Sequence, residues 1–149
     1  MLDQLLWKFM LDVGNAVNLE QFKKGSFVVY FYPKDNTPGC TIEAQDFSKL
    51  LSEFKKLGVE VYGVSQDDEQ SHQKFTNECK LSVPLIADVN GIICNAFGAI
   101  GEKTNFGKTY IGIIRSTFIV KDGVVVKRWK AVQVKDHAQK VLEAVKTLV

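Results

Sequence analysis

The chain has 149 residues, of which 46% are hydrophobic and 24% charged, a composition typical of globular rather than disordered proteins. We expect one domain spanning residues 1–149, because a chain of this length can bury a sizeable core. The formal net charge of +2 is too small to indicate a nucleic-acid partner or binding to a membrane surface.

The N-terminal segment, MLDQLLWKFMLDV, is apolar but is interrupted by Asp3, Lys8 and Asp12. No small-residue cleavage site follows it, so the sequence does not predict a signal peptide. No other stretch approaches the length of a membrane span. We therefore expect this segment to pack on the core of a cytoplasmic protein.

Strands and helices alternate in the first half of the predicted structure. SFVVYFY, residues 26–32, is a run of β-branched and aromatic residues that predicts a buried strand ending at Pro33. Apolar residues then recur at helical spacing over 41–57 and predict an amphipathic helix. A second buried strand is predicted at 59–65, and a polar helix at 67–80.

The second half begins with a strand-like segment at 83–88 and a short predicted helix at 92–97. A loop that contains glycine and lysine is predicted at 98–112. STFIV and GVVVKRW flank Lys-Asp-Gly at 121–123 and predict a β-hairpin, because Asp-Gly is a preferred turn pair. A stripe of apolar residues predicts a closing helix at 136–148.

This order of elements predicts an α/β fold in which helices cover both faces of a mixed central sheet. The first strand–helix–strand unit should make a right-handed crossover. A thioredoxin-like fold fits the order well. Because one fold supports many functions, the function has to be argued from particular residues.

The sequence contains three cysteines, Cys40, Cys79 and Cys94. They are too few and too scattered for a secreted disulfide framework, and the lack of a CxxC pair argues against a zinc site. We expect neither a metal nor a cofactor. The cysteine pattern indicates a reducing cytoplasm, where a disulfide is more often transient and catalytic than structural.

Cys40 is the candidate nucleophile. It lies in the first turn of the predicted helix, where unpaired backbone N–H groups and the helix dipole favour a thiolate over a thiol. Pro33 stiffens the preceding loop, and Gly39 allows the backbone to approach a small substrate. Thr37 can direct its hydroxyl at the atom that the sulfur attacks. A hydroperoxide suits this arrangement, because the N–H groups and the hydroxyl would stabilise its leaving oxygen.

The alternative is that Cys40 is inert filler, since free cysteine is among the residues most often buried as a small apolar side chain. The arrangement of Pro33 and Thr37 before Cys40 favours the reactive interpretation.

Pro33, Thr37 and Cys40 match PxxxTxxC, the signature of peroxiredoxins, and FYPKDNTPGCTIEA resembles the bacterioferritin-comigratory-protein branch, also called PrxQ. The likeness continues in order through NLEQF, VEVYGVSQDD, PLIAD, RSTFIV and VQVKDHAQKVLE. It implies a thioredoxin-like fold and a thiol-dependent peroxidase acting on hydrogen peroxide and small organic hydroperoxides. Cys40 would then be the peroxidatic residue that becomes a sulfenic acid. The resemblance also implies recycling by thioredoxin or a similar thiol reductant.

The resemblance implies a role for a distant arginine, and the matching position is Arg115, immediately before STFIV. A guanidinium stays charged, stabilises a neighbouring thiolate and donates several hydrogen bonds in one plane. Glu43, one turn after Cys40, corresponds to the family's glutamate that braces this arginine. The plainer alternatives are a surface arginine at a strand edge and an acidic residue favoured by the helix dipole.

The sequence departs from the family at Gln45, where many members of the branch carry a resolving cysteine. Cys79 is the better internal candidate, because some relatives resolve through a cysteine in that helix. A disulfide needs Cα atoms within about 7 Å, so the turn that carries Cys40 would have to unwind partly. Cys94 lies in an apolar segment and is most easily interpreted as core. An external thiol is the third alternative.

Two other functions are compatible with the same fold. A thioredoxin-type disulfide oxidoreductase would need a CxxC pair, but Glu43 stands where its second cysteine would be. A redox-inert binding module would have kept the motif by descent. We assign no chemical role to His72 or His137, and Trp129 is interpreted as core or pocket rim. A monomer and a weak homodimer are both compatible with the sequence.

Overall fold

The computed structural model describes residues 25–148. The expectations for MLDQLLWKFMLDV and NLEQF therefore lie outside the described residues. Within the described range, no helix is both long enough and apolar enough to cross a membrane. The elements in chain order are β1 (Ser26–Phe31), α1 (Pro38–Lys56), β2 (Val59–Ser65), α2 (Glu69–Cys79), β3 (Leu85–Ala87), α3 (Ile92–Ala96), β4 (Ile100–Asn105), β5 (Lys108–Ile113), β6 (Ser116–Lys121), β7 (Val124–Trp129) and α4 (His137–Leu148).

Five strands form the central sheet in the order β3-β2-β1-β6-β7. β1 pairs in parallel with β2 and antiparallel with β6, so the sheet is mixed, as the sequence predicts. All six residues of β1 are buried. A strand covered on both faces loses the alternation of apolar and polar residues, and this explains the continuous apolar run in SFVVYF.

The two faces of β1 contribute to two separate hydrophobic cores, because successive side chains of a strand point to opposite faces. Val28 and Tyr30 belong to the core that α1 and α4 cover, and this core contains Cys40. Val29 and Phe31 belong to the other core, which includes Cys94 of α3. Helices therefore cover both faces of the sheet, as predicted.

The prediction of a loop at 98–112 is wrong, because β4 and β5 form a two-stranded antiparallel hairpin there. Its turn is Phe106-Gly107, and both residues have positive φ values, 52° and 76°, as a tight two-residue turn requires. Most side chains of the hairpin are exposed. The hairpin therefore lacks the regular burial pattern from which a strand is recognised.

Two helix boundaries differ from the prediction in ways that affect the cysteines. α1 begins at Pro38, three residues earlier than expected, because proline has the backbone angle of a first helical residue and no N–H to satisfy. Cys40 is still in the first turn. α2 ends at Cys79, and the next residue, Lys80, has a left-handed φ of 52°.

Candidate active site

Cys40 lies just beyond the carboxyl end of β1, where the active-site loop, residues 32–37, leads into α1. Only 1% of its surface is exposed. Thr37 is the N-cap residue of α1, but its hydroxyl donates to the carbonyl of Lys34 at 2.8 Å and does not cap the helix. A helix start without a side-chain cap leaves amide groups that can bind a developing anion.

Arg115 contacts both Cys40 and Glu43. Its Nη2 donates to Sγ of Cys40 at 3.2 Å, and its Nη1 donates to Oε1 of Glu43 at 2.7 Å. The contact follows from strand register, because Phe31 at the end of β1 pairs with Ser116 at the start of β6. The residue before β6 therefore lies beside the residues that follow β1, although Arg115 and Cys40 are 75 positions apart.

The pair formed by Arg115 and Glu43 is largely removed from water. The side chain of Arg115 is 17% exposed and that of Glu43 is 0% exposed. Burial raises the pKa of Glu43 to about 7, and the charge and hydrogen bond of Arg115 oppose that rise. Burial alone would lower the pKa of Arg115, but Glu43 and Cys40 raise it above its usual value. The guanidinium is therefore charged at any working pH.

Glycine at position 39 allows this close approach. A Cβ atom at Gly39 would lie 3.3 Å from Nη2 of Arg115, which is tighter than ordinary van der Waals contact. The absence of a side chain at this position therefore leaves room for the guanidinium at the start of α1.

The remaining predicted site residues lie in the active-site loop. Pro33 is half-buried near its start, and Thr37 ends it. Because the Thr37 hydroxyl gives its proton to the Lys34 carbonyl, its oxygen is free to accept a hydrogen bond. The structure thus brings Cys40, Glu43 and Arg115 into direct contact, with Thr37 at the adjoining helix start.

Cys79 contacts the active-site loop. It is half-buried at the end of α2, and its Sγ lies 3.9 Å from Oδ1 of Asn36. It packs against the core that contains Cys40. An open cavity of about 330 Å³ lies beside it, and Gln45 and Ser48 of α1 line the opposite wall.

Cys94 lies in the core on the opposite face of the sheet from Cys40 and is fully buried. Burial raises the pKa of the Cys94 thiol well above its usual value, and the nearby carboxylate of Asp88 raises it further. A thiol held in its protonated form is a poor nucleophile. The interpretation of Cys94 as a core residue is confirmed by its burial.

Both histidines, to which the sequence assigned no chemical role, are buried and hydrogen-bonded. His72 of α2 lies 2.7 Å from a carboxylate oxygen of Asp35 in the active-site loop. His137 lies 2.8 Å from the hydroxyl of Thr117 and packs edge-on against Trp129. A signal for His72 existed in its helical spacing, since it precedes buried Phe75 by three positions on α2.

The comparisons with known proteins agree with this geometry. The AhpC/TSA family model matches residues 6–128. A putative peroxiredoxin bcp of Helicobacter pylori strain J99 is 50% identical over 132 residues, which cover 88% of this chain and 87% of the relative. Peroxiredoxin Bcp of Xanthomonas campestris is 48% identical over 137 residues, which cover 91% and 86%.

Two solved structures are similar throughout most of their length. The bacterioferritin comigratory protein of Xanthomonas campestris, described for its alkyl peroxide reduction activity, has a TM-score of 0.82 at 43% identity, covering 88% of this chain and 84% of that one. A cysteine mutant of Xylella fastidiosa PrxQ has a TM-score of 0.83 at 38% identity, covering 90% and 84%. The chain therefore belongs to the AhpC/TSA family, in the Bcp/PrxQ branch of the peroxiredoxins, and is a thiol-dependent peroxidase with a thioredoxin-like fold.

Proposed function

We propose that Cys40 is the peroxidatic cysteine of this peroxidase and that Arg115 and Glu43 hold it ready to react. The observation that carries the proposal is the 3.2 Å hydrogen bond from Nη2 of Arg115 to the sulfur of Cys40. A guanidinium that also bonds the fully buried carboxylate of Glu43 has little freedom to move away. Its charge and its N–H group favour the thiolate, which is the nucleophilic form of cysteine.

In the proposed first step, the Cys40 thiolate attacks the terminal oxygen of a hydroperoxide. The S–O bond forms as the O–O bond breaks, so the sulfur is oxidised by two electrons and the peroxide is reduced. The attacked oxygen keeps its hydrogen, which gives a sulfenic acid on Cys40. The other oxygen leaves as hydroxide or alkoxide and takes a proton from solvent to become water or an alcohol.

The neighbouring groups have complementary roles in this step. The Arg115 guanidinium and the uncapped amides of α1 stabilise negative charge as it moves from sulfur to the leaving oxygen. The free lone pair of Thr37 accepts a hydrogen bond from the terminal O–H of the hydroperoxide and orients it. Pro33 restricts the backbone of the loop that positions Thr37.

The proposed substrates are hydrogen peroxide and small organic hydroperoxides. Alkyl peroxide reduction is the activity named for the structurally similar Xanthomonas campestris protein. The 1% exposure of Cys40 also supports small substrates, because a bulky molecule would have little of this residue to contact.

We further propose that Cys79 resolves the sulfenic acid. The thiol of Cys79 attacks the oxidised sulfur of Cys40, the S–S bond forms, and the hydroxyl leaves with the thiol proton as water. Both cysteines belong to the core on the same face of the sheet, and Cys79 touches the active-site loop at Asn36. Cys94, on the opposite face, lies behind the sheet.

The two cysteines can meet only if the first turn of α1 unwinds, because Cys40 is almost completely buried. Two features make this turn weak. Thr37 provides no side-chain cap, and Gly39 has one of the lowest helix propensities of any residue. An external thiol that reaches Cys40 through the same opening is the alternative resolving group.

The proposed reductant is a thioredoxin-type dithiol. Its two thiols would be oxidised to a disulfide as Cys40 and Cys79 return to their reduced forms, so electrons and protons balance. We place the enzyme in the cytoplasm, as a monomer or weak homodimer. The three scattered cysteines of the sequence support a reducing compartment.

Replacing Cys40 with Ser tests the first step. We expect this variant to consume no hydrogen peroxide in the presence of thioredoxin, its reductase and excess reducing cofactor, because the nucleophile is lost. The Cys94→Ala variant is the matched control and should retain the activity of the unmodified protein. Peroxide consumption by the Cys40→Ser variant would overturn the assignment.

Mass mapping of the peroxide-treated protein tests the second step. We expect a disulfide between Cys40 and Cys79 in the unmodified protein. In the Cys79→Ser variant, a dimedone adduct on Cys40 should accumulate, because the sulfenic acid has lost its partner. An unmodified protein that keeps a sulfenic acid and forms no internal disulfide would instead indicate an external resolving thiol.

A further inference from the structure

Asp35, in the loop that leads to Cys40, is the centre of a buried hydrogen-bond network to which the proposed reaction steps assign no role. Its Oδ2 lies 2.7 Å from Nδ1 of His72 and accepts from the hydroxyl of Ser71 at 2.8 Å, while its Oδ1 accepts from the hydroxyl of Tyr32 at 2.6 Å. Asp35 and His72 are 6% and 5% exposed, respectively. A buried carboxylate with this many partners is held in one position.

Both ring nitrogens of His72 face hydrogen-bond acceptors. Nδ1 faces the Asp35 carboxylate, and Nε2 lies 3.0 Å from the backbone carbonyl of Ile86 in β3. Neutral imidazole carries only one N–H, whereas imidazolium carries two. The geometry therefore favours a positively charged His72 that donates to the sheet on one side and to the active-site loop on the other.

The charged groups around His72 also favour its protonated form. Burial alone would lower the pKa of His72, but the hydrogen bond and charge of Asp35 raise it above its usual value, and Asp67 adds to the rise. Burial would raise the pKa of Asp35, yet hydrogen bonds from His72, Tyr32 and Ser71 hold it below its usual value. The groups that face the ring are thus Asp35 and Tyr32 from the active-site loop, Asp67 from the end of β2 and Ile86 from β3.

Asp67 extends the network along the backbone of the loop. Its Oδ2 accepts from the backbone N–H of Asp35 at 2.9 Å and from the hydroxyl of Ser65 at 2.7 Å. The active-site loop is therefore joined directly to Asp67, which follows β2, and to the first turn of α2, and it is joined to β3 through His72. Asn36, the next residue of the loop, has a left-handed φ of 61°, a conformation that asparagine adopts more readily than most other non-glycine residues.

A cation site is the other arrangement that these side chains resemble. Asp35, Asp67 and His72 each offer a ligand atom within 4.8 Å of the others. Both nitrogens of His72 already have partners, and the carboxylate oxygens accept from donors on the protein. These partners explain the cluster as an ion pair with its supporting hydrogen bonds.

We propose that the Asp35–His72 ion pair is a positioning pair that holds the active-site loop against α2 and thereby keeps Cys40 in its folded, peroxide-reactive position. The pair joins the loop that leads to the peroxidatic cysteine with the helix that ends at Cys79. Breaking it frees the loop and the first turn of α1 to unwind. The inference rests on the proposed roles of Cys40 and Cys79.

The pair should affect the two halves of the reaction in opposite directions. Attack on peroxide needs the folded site, in which Arg115 contacts Cys40, so a weaker pair slows the formation of sulfenic acid. Disulfide formation needs the unwound turn, so a weaker pair accelerates it. A shorter-lived sulfenic acid is also less exposed to a second peroxide, and over-oxidation to sulfinic acid should fall.

Asp35→Asn and His72→Asn test the proposal, with Gln73→Ala on the exposed face of α2 as the control. Each half-reaction is followed by rapid quenching and mass spectrometry after a single addition of hydrogen peroxide. We expect sulfenic acid formation to slow about tenfold in both test variants and the later disulfide step to become several-fold faster, with the control unchanged. Both rates falling together would indicate general destabilisation and would overturn the proposal, as would two unchanged rates.

The pH dependence separates the charge of His72 from its packing. His72 is protonated below its raised pKa and loses its charge as the pH rises through it, so the pair is strongest at low pH. The difference between the unmodified protein and His72→Asn should therefore be large near pH 6 and shrink towards pH 9. A constant difference over this range would contradict the proposal. If the unmodified protein forms no sulfenic acid at Cys40, the proposed function itself fails instead.

Discussion

In the proposed mechanism, reactivity at Cys40 depends on Arg115, which contacts two partners at once. Nη1 is fixed by Glu43 at 2.7 Å, and this leaves Nη2 directed at the sulfur of Cys40 at 3.2 Å. A planar guanidinium can make both bonds because its donors diverge from one rigid group. A lysine could supply the charge but only from a single nitrogen.

The Arg115→Lys variant keeps the positive charge but removes the planar guanidinium, so it tests whether the two diverging donors of Arg115 are needed. We expect kcat/KM for hydrogen peroxide to fall about 100-fold, because one preorganised donor to developing charge is typically worth that factor. Steady-state peroxide consumption measures the effect, and Arg128→Lys on exposed β7 is the matched control. Activity within about twofold of the unmodified protein would show that the two diverging donors of the guanidinium are unnecessary.

The Cys40 motif could be recognised from the sequence at this scale, and the family resemblance indicated Arg115 and Glu43 as its neighbours, whereas the partners of Asp35 and His72 could not be predicted. Pro33, Thr37 and Cys40 lie within one short stretch, so their spacing alone identifies them. The partnership of Asp35 with His72 joins positions 37 apart and depends on how α2 lies against the loop. No local pattern carries that information.

At the scale of the element, the start of α1 combines two opposing requirements. In the proposed reaction cycle, it must be helical for Cys40 to face Arg115, and it must unwind for the sulfur to reach Cys79. Pro38 favours helix initiation, while Gly39 and the uncapped N-terminus disfavour a persistent first turn. The turn therefore holds the sulfur only weakly in its buried position.

Gly39→Ala separates local helix propensity from the shape of the site. Alanine favours the helix by roughly 1 kcal/mol, but its Cβ would lie 3.3 Å from Nη2 of Arg115. We expect unchanged or slightly higher thermal stability together with about a tenfold loss of kcat/KM for peroxide. Ser52→Ala on the exposed face of α1 also raises helix propensity and should leave kcat/KM unchanged. Full activity in Gly39→Ala would mean that the guanidinium does not need this space.

The elements that bury a stripe of apolar side chains could be predicted from the sequence, and the exposed hairpin of β4 and β5 could not. α1 shows apolar residues at helical spacing because Ala44, Phe47 and Leu51 enter one core. β4 and β5 pack mostly against each other, and the side chain of Phe106 at their turn is 95% exposed. A pair of strands that buries little produces little pattern in the sequence.

At the scale of the whole molecule, the sheet separates Cys94 from the other two cysteines. Cys40 and Cys79 share one core and Cys94 belongs to the other. The placement of the cysteines in these two cores depends on the order of the five strands of the central sheet, in which β1 pairs with β6. The sequence predicts the mixed sheet, but it leaves the three resolving alternatives open.

Global stability should depend on His137 in a defined pH window. Burial, together with the charges of Lys140 and Arg115, lowers the pKa of His137 to about 4. An unfolded histidine titrates near 6.5, so the unfolded chain binds the proton first and the free energy of unfolding falls as the pH drops from about 6.5 to about 4. A shift of this size corresponds to roughly 3 kcal/mol.

Urea unfolding of the unmodified protein and of His137→Asn between pH 4 and pH 7 measures this contribution. The difference between the two proteins isolates His137, because the other titrating groups are common to both. We expect the unmodified protein to lose more stability on acidification than the variant does. Parallel curves would show that His137 is protonated as readily in the folded as in the unfolded chain.

The pairing of β1 with β6 also has a consequence for protein synthesis. Arg115 precedes β6 and is translated 75 residues after Cys40, so a growing polypeptide carries the cysteine long before it carries the guanidinium. β1 cannot complete its pairing until β6 has left the ribosome. If Arg115 activates Cys40 as proposed, the nascent Cys40 lacks its neighbouring guanidinium and should gain its reactivity towards peroxide only after β6 has paired with β1.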